Sequence, residues 1–154
     1  MSDRTHFTLS ILDKQLPKLM LLLDEKHKET MADLDDSRIE QISNAFYVKH
    51  FYFFDRAGYE YEPLLMFIAK QGIPATLNIG GIDGYDPKNI HARINSSGEM
   101  KVTRIHPSKE GLIEYEKVMQ AYMLGQIDML IKDMENSNFT WQRQMAVLQG
   151  LGKL

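Results

Sequence analysis

Apolar and polar residues alternate through the first segment of the chain, Thr5 to Ile11. Phe7, Leu9 and Ile11 fall on one side against His6, Thr8 and Ser10 on the other, the period-two pattern of a strand with one wet face. The period then becomes helical. Asp13 is placed to cap a helix with Pro17 in its first turn, whose buried side is Leu16, Leu19, Met20, Leu22 and Leu23, with Asp24 to Glu29 as its solvated continuation. Ser37-Arg38-Ile39-Glu40 has capping-box spacing and predicts that another helix starts there. The acidic segment before it, with Asp33, Asp35 and Asp36, reads as a linker whose negative charge suits a helix N-terminus.

Residues 45–81 organise the rest. Six aromatics lie within Ala45 to Phe54, and this stretch reads at least in part as a strand, the competing reading being a helix continued from Ser37. Asp55-Arg56-Ala57-Gly58 signals a turn, and Pro63 to Gln71 a short, largely buried helix stopped by Gly72. Pro74 to Ile79 alternates again, with Ala75, Leu77 and Ile79 against Thr76 and Asn78, so a strand, helix, strand unit is expected. After the glycine-rich loop 80–87, residues 89–95 and 99–105 alternate about Ser96-Ser97-Gly98 and predict a hairpin. Its wet face is expected to show His91, Arg93, Lys101 and Thr103.

Residues 108–154 are expected to form a long helix, with Ser108 as its N-cap, followed by a short helical tail at 139–149 carrying Trp141, Met145 and Leu148. Over 112–134 the helical pattern is apolar around most of its girth. Leu112, Met119, Met123, Leu130 and Met134 make one stripe, and only the wedge of Glu114, Lys117, Asp128 and Lys132 is consistently polar. The whole is one α+β domain, residues 1–154: a small, mostly antiparallel sheet of four to five strands with helices packed on one face and a long C-terminal helix.

Composition narrows the chemistry. There is no cysteine among the 154 residues, hence no disulfide framework, thiolate nucleophile or cysteine metal site. The net charge of −3 weighs against a bulk electrostatic grip on nucleic acid. No leader pattern and no apolar run of membrane-spanning length is present, and a cytoplasmic protein is expected. No Gly-rich phosphate loop, His-Glu-x-x-His or Gly-x-Ser-x-Gly pattern occurs, and no metal or cofactor is expected.

Two His-x-Ser/Thr triplets do stand out, His6-Phe7-Thr8 and His106-Pro107-Ser108. Residues two apart in a strand share a face, so each histidine could act as acid or base beside a hydroxyl donor. The arrangement resembles the 2H phosphoesterases, whose defining motif is a repeated His-x-Thr/Ser. That resemblance implies a phosphodiesterase site built from His6, Thr8, His106 and Ser108.

The excess of apolar surface near the C-terminus favours a different reading: a non-enzymatic interaction protein, a regulator or inhibitor that binds a larger protein partner and forms a homodimer. The expected contact residues are Asp83, Tyr85 and Asp86 of the glycine-rich loop, Arg93 and Lys101 of the hairpin, Met119 and Met123 of the long helix, and Trp141 of the tail. Nucleic acid on the hairpin's basic face is a third expectation.

Overall fold

The computed structural model describes residues 4–32, 36–57, 61–80, 87–110 and 113–153. The chain forms β1 (Arg4–Leu12), α1 (Leu16–Leu22), α2 (Glu25–Ala32), β2 (Asp36–Ser43), β3 (Phe46–Ala57), α3 (Tyr61–Lys70), β4 (Ala75–Ile79), β5 (Lys88–Ile94), β6 (Met100–Ile105), α4 (Tyr115–Met123), α5 (Ile127–Ser137) and α6 (Trp141–Gly150). The strands make one six-stranded sheet in the order β2-β3-β1-β4-β5-β6, with every pairing antiparallel. Because β3 and β4 both pair with β1, the β3–α3–β4 crossover spans it and joins two strands that run parallel to each other.

Alternation sorts the two sheet faces. Phe7, Leu9 and Ile11 of β1, Phe51 and Phe53 of β3, and Leu77 of β4 point to one side, where Leu64, Leu65 and Ile68 of α3 and Leu19 of α1 complete the main core. Leu12 and Val48 point the other way and meet Trp141, Met145 and Leu148 of α6 in a second core. Helices therefore lie on both faces and not on one. The tail is what fills the second, by laying α6 across residues of β2 and β5.

β2 makes the strand number six and overturns the helix expected at Ser37. Glu40 does have capping-box spacing, but Ser37 donates its backbone N–H to Asp36 Oδ1, and Asp36 through Ser43 pairs along β3. β2 is a largely exposed edge strand with long charged side chains, so it carries little hydrophobic period to outweigh a local cap signal. The stretch 46–54 is strand, as its aromatics suggest, and β3 continues through residues 55–57, where a turn was expected. Gly58 lies outside the described residues.

The first helix also breaks earlier than its pattern indicates. Asp24 Oδ1 accepts the His27 N–H at 2.9 Å and so caps a separate α2. The expected long C-terminal helix is two helices, α4 and α5, while the expected short tail is α6. Ser108 belongs to a short 3-10 turn at 107–109 in which His106 is the N-cap, and α4 begins only at Tyr115. α4 then stops at a left-handed Gly125, φ 67°, where the Gln126 N–H returns to the Ala121 carbonyl at 2.7 Å and the Gly125 N–H to that of Tyr122 at 3.2 Å. That paired closure is a Schellman motif, which ends a helix whatever apolar stripe runs past it. No helix among the described residues is long and apolar enough to cross a membrane.

α6 is fastened by more than apolar contact. β4 begins at Ala75, opposite Ala92, so the backbone of Ile94 has no β4 residue to pair with. Gln144 takes that place. Its Oε1 accepts the Ile94 N–H at 2.8 Å and its Nε2 donates to the Ile94 carbonyl at 3.1 Å, so one buried side-chain amide does the work of a neighbouring strand.

Candidate functional site

The sheet face that α6 covers only in part carries most of the chain's ordered polar chemistry. Strand register puts Arg38, His50, Ser10, Thr76, His91 and Thr103 in one cross-strand row. Each is paired with the next on the same side of the sheet. Four of them, His50, Ser10, Thr76 and His91, are central, and Ser10, Thr76 and His91 are buried.

Each histidine of the row holds a carboxylate. His50 Nε2 lies 3.2 Å from Glu40 Oε2, and its Nδ1 lies 2.6 Å from Ser10 Oγ. An ionised carboxylate only accepts, so in the neutral imidazole Nε2 carries the proton, Nδ1 is the acceptor, and the Ser10 hydroxyl donates to it. On the other side His91 Nε2 binds one oxygen of Glu110, while Asn89 Nδ2 donates to the other. The His91 ring stacks on Phe139 with centroids 5.0 Å apart and planes 9° apart, and Phe139 meets Trp141 edge-on at 4.9 Å. Burial is the main cause pushing His91 below its ordinary pKa of 6.5, with Arg93 acting the same way and Glu110 pulling against both. His91 is thus a joint between sheet, the turn at 107–110 and the approach to α6, not part of a wet face.

Two and four residues along β3 from this row, the same face becomes aromatic. Tyr52 and Phe54 stand with rings 7° from parallel and centroids 6.2 Å apart, His6 meets Phe54 edge-on at 5.4 Å, and the Arg38 guanidinium lies 5.7 Å from the Tyr52 ring. Phe54 is nearly half exposed.

The residues expected from sequence are placed as follows. His6 and Thr8 share this face on β1. His106 and Ser108 follow β6, where His106 Nδ1 lies 2.7 Å from Ser108 Oγ and also accepts the Ser108 N–H. β4 and β5 stand between β1 and β6, three inter-strand steps, or about 14 Å. The fold does not bring the two triplets together. Of the hairpin residues, Lys101 is exposed and paired with Glu99 at 3.1 Å, while Arg93 is half-buried beside α6. Asp83, Tyr85 and Asp86 lie outside the described residues. Trp141 is part of the second core and faces inward. Among the described residues no group of three or more histidines and carboxylates could hold a metal ion.

Compared with known protein families, with curated proteins and with solved structures, the chain matches none.

Met119 and Met123 belong to an exposed apolar surface. α4 and α5 form a hairpin that packs mainly on itself. Of its described side chains only Ala121 is buried, while Tyr115, Tyr122 and Met123 are more than 70% exposed, and Leu124 and Met129 are 60% or more. A cleft of about 610 Å³, lined by Ile105, Ile113, Leu130 and Met134, separates it from the end of β6.

Sequence reasoning placed Ser10 correctly on the polar side of its strand but missed its partners. The capping-box spacing of Ser37 and Glu40 points Glu40 to a helix start and not to a place beside His50. The signal that could have found the pair was the alternation Arg38, Glu40, Ile42 read as an edge strand turning into the aromatic strand after it.

Proposed function

We propose that the chain is an interaction protein whose α4–α5 hairpin is its docking surface, acting as a regulatory or inhibitory subunit on a larger protein. One observation carries this reading: five large apolar side chains at 60–78% exposure on a helical hairpin that leans on little of its own domain. Burying side chains of this size is worth roughly 1.5–3 kcal/mol each before the costs of association, so leaving them in water is expensive unless something covers them. Single apolar residues scattered over a surface need no explanation, but five on one small element do.

Charge describes the partner. The two helices carry Glu116, Asp128, Asp133 and Glu135 against Lys117 and Lys132, four acids and two bases, a net −2. An apolar groove rimmed by lysine or arginine suits them. In the absence of that partner a second copy of the chain covers the same face. Amide hydrogen exchange at rising protein concentration tests this: exchange in 115–137 slows while α6 is unaffected. Exchange that is rapid in the hairpin at every concentration would contradict self-association through it.

A further inference from the structure

We infer that Ser10, His50 and Glu40 form a second, separate site, an acyl-transfer centre for carboxylic esters that carry a flat aromatic or apolar group. This does not depend on the docking reading, because the three residues lie on the sheet, away from α4–α5. The geometry is a relay: Glu40 Oε2 at 3.2 Å from His50 Nε2, and His50 Nδ1 at 2.6 Å from Ser10 Oγ. A carboxylate that fixes one imidazole nitrogen as donor makes the other a base, and that base is within reach of the hydroxyl proton it would remove. The exposed carboxylate sits on an edge strand and the buried serine two strands away in the centre of the sheet, so the histidine between them links the two environments.

Position adds to this. Ser10 is buried and stands next to Leu12, which lies under α6, while Thr8 and Tyr52 on its other side are only half-buried. In the other direction the next same-face pair is Thr8 and Tyr52, about 7 Å along the strands, followed by the Phe54 ring. An acyl or alcohol group lying on the Tyr52 and Phe54 rings brings its ester carbonyl toward Ser10. Thr76 is the cross-strand neighbour of Ser10 on the same face, and its hydroxyl is the donor assigned to the developing oxyanion.

The step balances with water as the only co-reactant. Ser10 Oγ bonds to the carbonyl carbon and its proton passes to His50 Nδ1. The carbonyl π pair moves to oxygen and returns as the C–O bond to the alcohol breaks, and the departing alkoxide takes the proton from His50. Water then gives a proton to His50 and attacks the acyl-serine, and the carboxylic acid leaves as Ser10 regains its proton. Glu40 remains ionised throughout and is a positioning residue.

The test uses the full chain. With a fluorophosphonate probe, a single adduct is expected on the peptide containing Ser10, and hydrolysis of p-nitrophenyl butyrate falls about 100-fold or more in Ser10→Ala and in His50→Gln. Glu40→Gln lowers kcat with KM unchanged, and Glu40→Asp restores part of it. Because the chain has no cysteine, Ser10→Cys adds a lone thiol and supplies a control that does not require turnover. In the folded protein that thiol reacts with iodoacetamide faster than after His50→Gln is added. A probe adduct elsewhere, ester hydrolysis unchanged in Ser10→Ala, or a Ser10→Cys thiol silent until the protein unfolds would each overturn the assignment and leave the relay as a buried structural network.

Discussion

α6 and the α4–α5 hairpin are neighbours in sequence and alike in pattern, yet one is built into the domain and the other stands off it. Both carry apolar residues at helical spacing. α6 meets a receiving surface, Leu12 and Val48 on the far side of the sheet, and adds the Gln144 clamp on Ile94. The hairpin packs mainly on itself and borders a cleft. The difference shows that an amphipathic stripe states that a helix will be covered and leaves open by what.

The largest effect that sharpens the contrast is truncation on each side of it. Leu148 is fully buried, so Leu148→Ala should destabilise the protein by about 2–5 kcal/mol, while Met123→Ala, 78% exposed, should stay within about 0.5 kcal/mol. Urea titration of both variants reads the two values. Equal losses would mean that the hairpin is held as firmly as α6.

Next is the clamp. Gln144→Ala leaves the Ile94 N–H and carbonyl without their partner, and with about 1–3 kcal/mol for a buried group left unsatisfied the expected loss is about 2 kcal/mol or more. Melting curves followed by Trp141 fluorescence report it, since that ring belongs to the same core.

Smaller, and specific to the α6 side, is a dependence on pH through His91. Its folded pKa lies below 6.5, so between the two values the unfolded chain binds more protons than the folded one and stability rises with pH. Stability is therefore full above about 6.5 and is lost as pH falls through the folded value. His91→Gln, which can still donate to Glu110 but does not titrate, should flatten that part of the profile. Loss of stability on raising the pH through the same range would reverse the sign and refute the assignment.

How much of this was legible follows from where each signal resides. β1, α3, β4 and the β5–β6 hairpin were readable because their alternation, proline and glycine act locally, down to the left-handed Gly72 and Gly98 at φ 75° and 88°. β2 was not, because an edge strand of charged residues has no buried side to impose a period. Gly125 was a lone helix-breaking residue inside a strong apolar pattern, and the Schellman closure around it depends on backbone geometry alone. His91 read as wet because Phe139, which stacks on it, comes from 48 positions later in the chain. The Ser10 relay needed the register of two strand pairings, one of which rested on the misread β2.

The most direct measurement of the docking claim is solution mass by light scattering across a concentration series, on the natural chain and on a variant with Tyr115→Ser, Tyr122→Ser and Met123→Ser. All three positions are exposed, so the variant should fold as the natural chain does. The expected result is a mass that climbs toward twice 17.8 kDa for the natural chain and stays at 17.8 kDa for the variant. A natural chain that remains a single copy at every concentration, or a variant that associates equally well, would contradict the account.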